Sequence, residues 1–76
     1  MKKEKRLADL KCGESGRVLR LLSCGTMRRR FLDIGIVPGT AVTCFGKSPL
    51  GDPSAYRIRG KLIAIRNEDA EKILLI

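Results

Sequence analysis

Arginine is the residue type in this sequence with the clearest capacity for binding chemistry. Arg28, Arg29 and Arg30 are consecutive, and Arg57 and Arg59 alternate with other residues in a later segment. A guanidinium group pairs with a carboxylate or phosphate through two parallel hydrogen bonds, so these segments predict contacts with an acidic partner. A solvated outer helix face explains the first three equally well, and both interpretations stay open. In its most specific form, the binding interpretation makes Arg29 an arginine finger that acts on a bound nucleotide.

The charge balance also indicates an anionic partner. The 76 residues include 16 Lys and Arg against 8 Asp and Glu, which gives a formal net charge of +8. Nucleic acid, an anionic membrane surface and an acidic protein are all attracted to such a domain. Binding of nucleic acid is the alternative function, but it needs aromatic side chains for base stacking. Only Tyr56, Phe31 and Phe45 are present, and we predict that both Phe residues are buried.

Catalytic chemistry has little support in the residue types. The chain has no His, which removes the commonest general base and a frequent metal ligand. It has no GxxxxGK[ST] or GxGxxG loop for a nucleotide. Cys12, Cys24 and Cys44 are not paired in sequence, so we interpret them as reduced thiols of a cytoplasmic protein. We predict no enzymatic activity, no catalytic residues, and no cofactor-binding or metal-binding residues.

The densest turn signal is Pro49-Leu50-Gly51-Asp52-Pro53, because each Pro lacks a backbone donor and Gly permits positive φ. Leu50 at its tip is either an exposed apolar anchor for a partner or a side chain folded back over the barrel. Asp52 is predicted to bond its own backbone. The predicted partner-binding set consists of Arg28, Arg29, Leu32, Leu50, Asp52, Arg57 and Arg59.

Short strands and one longer helix must position these residues. Apolar runs and alternation predict strands over 17–22, 40–47, 55–59, 61–66 and 73–76, the fourth of them buried on both faces. Met27, Phe31 and Ile34 share one face of a helix that Thr26 caps and Gly35 ends. One helical turn is predicted near Leu7, and a short helix capped by Asn67 extends through residue 72.

The fold class is therefore mainly β with short helices, in the form of a small barrel of about five strands, because closure removes exposed edges. We predict a single domain over residues 7–76, preceded by a flexible basic tail over residues 1–6. The tail fits either a solvated terminus or attraction to anionic lipid. No apolar run approaches the ~20 residues of a membrane-spanning helix.

The order of the motifs resembles the family of the cytoplasmic ferrous iron transport protein A, called FeoA. The resemblance covers more than half of the chain and extends more loosely to residues 7–22. The segment Pro49–Pro53 is its most specific part. The other elements are Leu32-Asp33-Ile34-Gly35, Pro38-Gly39, Gly60, Leu62-Ile63-Ala64-Ile65-Arg66 and Asp69-Ala70.

This resemblance implies an SH3-like barrel in its free-standing form and a regulatory role in bacterial ferrous iron uptake. It implies a partner, the FeoB-type membrane transporter with its cytoplasmic GTPase domain, and hence a location at the inner membrane. Fe²⁺ is the ion transported by that system, and the family's association with transition metals assigns no ligand here. The family has no agreed catalytic residues, so none is carried over.

Overall fold

The computed structural model describes residues 4–76 of the chain. The first two elements are the short strand β1 (Lys5–Arg6) and a 3₁₀ turn over Leu7–Asp9. The remaining strands are β2 (Ser15–Leu21), β3 (Ala41–Lys47), β4 (Ser54–Ile58), β5 (Lys61–Ile65) and β6 (Ile73–Leu75). The two helices are α1 (Gly25–Ile34), between β2 and β3, and α2 (Asn67–Ala70), between β5 and β6.

The strands form one antiparallel sheet in the order β1-β6-β2-β3-β4-β5. Strand β2 belongs to both halves of the sheet, because its first three residues pair with β3 and its later residues pair with β6. The β2–β6 and β3–β4 ladders each contain a register shift, and such bulges bend a strand and increase its twist. The sheet therefore curls, and the fold is mainly β with short helices, as predicted.

The core lies inside the curled sheet and beneath α1. Alternate residues of the strands are buried, including Val18, Val42, Tyr56 and Ile58, as the period of two requires. Fourteen buried residues form one cluster, with Met27 and Ile34 packed against it. In β4, Tyr56 and Ile58 face inward while Arg57 between them is exposed.

Helix α1 presents the predicted stripe to the core. Phe31 is buried, Met27 and Ile34 are half-buried, and the chain leaves the helix at Gly35 with φ of 105°. The predicted cap, Thr26, is wrong, because the extended residue before the helix is Cys24. Gly25, the first residue of α1, has φ of 62°, a left-handed value that glycine tolerates.

The sheet already includes Lys5 and Arg6, which the sequence places in a flexible tail over residues 1–6. Lys5 pairs with Leu75 and Arg6 with Leu74, so this end of the chain forms an edge strand of the sheet. The Arg6 guanidinium Nη1 also donates to the Glu71 carbonyl at 2.9 Å. Residues 1–3, which belong to the same predicted tail, lie outside the described residues.

The prediction that the 61–66 strand is buried on both faces is wrong. Ile65 is buried and Ile63 half-buried, but Leu62 is 55% exposed and Ala64 is also exposed. Ile63 and Ile65 lie on the face of β5 that meets the core, whereas Leu62 and Ala64 lie on the opposite face, which meets solvent. An apolar run alone does not distinguish this arrangement from a strand buried on both faces.

Candidate functional site

The three consecutive arginines of α1 divide between two surfaces. Successive residues of a helix are about 100° apart around its axis, so neighbours in sequence face different directions. Arg28 and Arg29 line a hollow of about 460 Å³ on the outer side of α1 together with Leu32. Arg30 instead lines a groove of about 430 Å³ between α1 and β5.

Arg29 and Asp33 are one helical turn apart on α1 but do not form an ion pair. Within residues 4–76, the one ion pair closer than 4 Å joins Lys5 Nζ to Glu14 Oε1 at 3.5 Å. The Lys11 backbone N–H donates to Glu14 at 2.7 Å and holds the pKa of this carboxyl below its ordinary value. The arginines of α1 are therefore available to a partner's carboxylates.

Phe45, Arg57 and Leu62 form an exposed patch on the outer face of β3, β4 and β5. The Arg57 guanidinium carbon lies 5.7 Å from the centre of the Phe45 ring, a cation–π arrangement. Arg57 is also opposite Leu62 in the β4–β5 ladder. Phe45 is 54% exposed, so its predicted burial is wrong. Val42 and Cys44 face inward, so the next residue, Phe45, faces outward, at the bulge between Cys44 and Gly46.

The Arg59 side chain extends from the turn after β4 to the C-terminus of α1. Arg59 occupies the two-residue turn between β4 and β5 with φ of 52°, and Gly60 follows with φ of 81°. Two successive positive φ values are typical of the type I′ turn of a tight hairpin. The Arg59 side chain passes directly over Gly35, where a Cβ atom would overlap its Cδ atom. Gly35 therefore allows this arginine to lie against the C-terminus of α1.

The loop that carries Leu50 is held at its base while its tip is free. Leu50 is 93% exposed, so the alternative in which it folds back over the barrel is wrong. Asp52 Oδ1 accepts a hydrogen bond from the Asn67 backbone N–H at 3.0 Å. Asn67 Nδ2 in turn donates to the Gly51 carbonyl oxygen at 3.0 Å. The loop is therefore fastened to the first residue of α2.

These contacts correct the predicted roles of Asp52 and Asn67. Asp52 bonds a distant backbone group rather than its own, and Asn67 does not cap α2. Instead, Arg66 precedes the helix, Asn67 is its first residue, and α2 ends at Ala70. The acceptor for the first free N–H comes from a loop 15 residues earlier, and local sequence gives no signal for such a contact.

We expect Asp52→Ala to lower the free energy of unfolding by about 0.5–2 kcal/mol, the cost of removing a helix cap. The cause is loss of the acceptor for the Asn67 N–H, whose hydrogen exchange should become faster. Urea unfolding and amide exchange by NMR measure both effects. The matched control is Asp33→Ala, which removes an exposed carboxylate from α1. Equal losses in the two variants, with Asn67 exchange unchanged, would contradict the role given to Asp52.

The three thiols form no disulfide bond, and the Cys12 thiol donates to the Phe45 carbonyl oxygen at 3.0 Å, next to Cys44. Cys12 and Cys24 are exposed, whereas Cys44 is buried in β3. Burial raises the pKa of the Cys44 thiol, and this keeps the thiol protonated and unreactive at neutral pH. Within the described part of the chain, no group of three or more His, Cys, Asp or Glu side chains is placed to hold a metal ion.

The predicted partner-binding residues occupy three places in the fold. Arg28, Arg29 and Leu32 share the outer side of α1, Arg57 and Arg59 share β4 and its turn, and Leu50 and Asp52 share the loop. Phe45 and Leu62 are absent from the predicted set, although the alternation around Phe45 is a usable signal. Among residues 4–76, no helix is long and apolar enough to span a membrane.

Comparison with known proteins agrees with these features. A family model described as the FeoA domain matches residues 5–76. A relative in Porphyromonas gingivalis, an Fe(2+) transport protein A/Fe(2+) transporter FeoB fusion protein, is 38% identical over 68 residues, which are 90% of this chain. The chain spans only 8% of the length of that relative.

Solved structures share the fold. The FeoA protein of Chlorobium tepidum is 32% identical, with a TM-score of 0.88 over 93% of this chain and 68% of its own. The FeoA-like protein of Clostridium acetobutylicum is 34% identical, with a TM-score of 0.87 over 100% of this chain and 88% of its own. Stenotrophomonas maltophilia FeoA, described as a prokaryotic SH3 domain protein, is 22% identical, with a TM-score of 0.84 over 95% of this chain and 89% of its own.

These likenesses confirm the SH3-like fold and the resemblance that the motifs carried. The matched region begins at the first described strand and ends at the last residue. It includes all the predicted partner-binding residues and the loop over 49–53. The chain belongs to the FeoA domain family.

Proposed function

We propose that this domain is an accessory protein of bacterial ferrous iron uptake that binds the cytoplasmic part of a FeoB-type membrane transporter. The observation that carries the proposal is the relative in which a FeoA sequence and a FeoB sequence are joined in one polypeptide. Covalent fusion gives two domains a high effective concentration, which is useful when they act in contact. The proposed location is the cytoplasmic side of the inner membrane.

The surface of the domain suits binding rather than catalysis. Exposed arginines on α1 and β4 lie beside exposed apolar side chains, Leu32 on α1 and Phe45 and Leu62 on the sheet. Arginine and aromatic residues are enriched among the residues that dominate interface energies. The net charge of +8 favours an acidic docking surface and speeds association with it. FeoA is likewise a family of accessory domains rather than of enzymes.

The test is a titration of the chain with the cytoplasmic, GTPase-bearing part of the transporter from the same organism. We expect Arg57→Glu to weaken binding by about tenfold or more, since a charge reversal opposes an acidic partner and disrupts the contact with Phe45. The control, Arg20→Glu, makes the same charge change at another exposed position. Equal weakening by both variants would show a nonspecific charge effect and contradict the assigned surface.

The arginine-finger hypothesis is a separate proposal for Arg29. Its guanidinium is exposed on α1 and makes no ion pair within residues 4–76. If it stabilises charge on a transferring phosphoryl group, Arg29→Ala should abolish any stimulation of transporter GTP hydrolysis by this domain. If the wild-type chain does not change the rate of transporter GTP hydrolysis, the arginine-finger hypothesis is contradicted, while the proposal that the domain binds the transporter is unaffected.

Nucleic-acid binding remains the second candidate function because Phe45 is exposed beside Arg57. This pair could stack one base and contact one phosphate. Tyr56 and Phe31 are buried, so a longer stacking surface is not available in the described region. A salt-dependent gel shift of single-stranded DNA or RNA that Phe45→Ala removes would support this candidate.

A further inference from the structure

Strand β5 has one free edge. It is the last strand in the sheet order and pairs only with β4. The opposite edge of the sheet is the two-residue strand β1, which is too short to accept much of a partner. Within the described residues, β5 is therefore the longer of the two edges, with five residues. An edge strand presents unpaired N–H and C=O groups to any other chain.

The hairpin turn determines which groups of β5 are free. Ile58 and Lys61 close a two-residue turn, so they form a hydrogen-bonded pair. In an antiparallel ladder, hydrogen-bonded pairs alternate with pairs that are not bonded. Leu62 and Ala64 therefore direct their N–H and C=O groups away from β4. In the part of the chain that the structure describes, no turn, loop or cap donates to these groups or accepts from them.

A groove runs beside this edge, between α1 and β5. Its volume is about 430 Å³. The apolar side chains along it are Met27, Phe31, Ile34, Ile63 and Ile65. Two arginines and the acidic first turn of α2 complete its lining, namely Arg30, Arg66, Glu68 and Asp69. The groove therefore offers both apolar and charged side chains next to free backbone donors and acceptors, a combination that an extended peptide can use.

We propose that β5 is a docking edge for an extended segment of an acidic partner protein. The segment pairs with Leu62 and Ala64 as a further strand, and its alternate side chains enter the groove beside α1. This inference rests on the proposed function, because it gives the FeoB-type transporter as that partner and names the surface and the form of the contact. It assigns Arg30, rather than Arg28 and Arg29, as the α1 arginine next to the bound segment.

Charge decides between a different partner and a second copy of this chain. Two copies carry +8 each and repel one another when their edges approach. Lys61 begins β5 and Arg66 follows its last residue, and basic side chains at such positions oppose edge-to-edge pairing of identical strands. An acidic protein is attracted to the net positive charge of the domain, and in the groove its segment meets Arg30 and Arg66 as well as Glu68 and Asp69.

The experiment follows the free amides during binding. The chain is mixed with the cytoplasmic, GTPase-bearing part of the transporter, and amide hydrogen exchange is measured with and without it. We expect exchange at Leu62 and Ala64 to slow by about tenfold or more in the complex, because both N–H groups become hydrogen-bonded.

A pair of substitutions at one position separates the backbone from the side chain. Ala64→Pro removes the free N–H and blocks the edge, and Pro is tolerated where an edge N–H faces solvent. Ala64→Ser keeps the N–H with a side chain of similar size. We expect the Pro variant to bind at least about tenfold more weakly and the Ser variant to bind within about twofold of the wild type. The exchange measurement on the wild type does not depend on either variant folding.

The outcomes distinguish the two proposals. A complex that forms with unchanged exchange at Leu62 and Ala64 overturns the docking edge and leaves the proposed function standing. Absence of any complex overturns both. Slower exchange that depends on the concentration of this chain alone would mean that a second copy occupies the edge, and it overturns the acidic partner as the occupant.

Discussion

Leu7→Ala should lower the free energy of unfolding by about 2–5 kcal/mol, the range for truncating a fully buried leucine. Leu7 has no exposed surface, and it belongs to the central cluster of the core. The 3₁₀ turn that contains it packs against β6 and α2. The substitution removes buried apolar contacts and leaves a cavity that the surrounding strands close only partly. Urea denaturation followed by circular dichroism measures the change.

This effect is large relative to the whole stability of so small a domain. Native domains have about 0.05–0.15 kcal/mol of stability per residue, which for this length is about 4–11 kcal/mol in total. The matched control is Leu19→Ala, at a position on β2 that is 43% exposed. We expect it to change stability by less than about 1 kcal/mol. Similar losses for the two variants would show that the N-terminal turn does not complete the core.

Gly35→Ala should destabilise the domain by about 1–2 kcal/mol or more, because residue 35 has φ of 105° and a Cβ atom is strained there. A second contribution comes from Arg59, whose Cδ atom the new methyl group would overlap. The arginine must move away from the C-terminus of α1 to avoid this overlap. Thermal and urea unfolding measure the total effect, and the chemical shifts of Arg59 report its displacement.

Two controls separate the backbone contribution from the side-chain contribution. Gly39 has φ of 92°, and a Cβ atom added there would meet no atom within 4 Å, so Gly39→Ala measures conformational strain alone. In an Arg59→Ala background the overlap disappears, and Gly35→Ala should then cost about as much as Gly39→Ala. If Gly35→Ala lowers the free energy of unfolding equally with and without the Arg59 side chain, the contact between residues 35 and 59 is contradicted.

The same contact bears on the proposed function. Arg59 belongs to the predicted partner-binding set, and its position depends on a glycine that the sequence marks only as a helix end. A variant at Gly35 should therefore weaken transporter binding more than its loss of stability explains. The comparison with Gly39→Ala, at matched fraction folded, isolates this effect.

Several elements are predictable because their signals are local. The helix near residues 27–34 follows from a 3.6-residue apolar period and a glycine at its end, and α1 occupies Gly25–Ile34. The strands follow from alternation, and Tyr56 and Ile58 lie inside as that alternation requires. The turn over residues 49–53 follows from its Pro and Gly residues, whereas the sequence leaves the exposure of Leu50 open and the fold decides it.

The errors share a physical cause. Phe45 and Leu62 are apolar, so composition predicts burial, but their exposure depends on which face of the sheet each side chain occupies and on whether other elements cover that face. The pairing of Lys5 and Arg6 with β6 joins residues about 70 positions apart. No local pattern in a short charged segment indicates such a partner.

Composition, periodicity and turn residues are local properties, and they are enough to predict a small, basic, mainly β domain with little means for catalysis. The resemblance to the FeoA family is carried by the order of its motifs. Other features depend on the order of strands in the sheet and on contacts between distant residues. They include the grouping of the arginines on separate surfaces, the attachment of the Asp52 loop to α2, and the free donors and acceptors of β5. The same arginines and leucines would form different surfaces if the strands paired in another order.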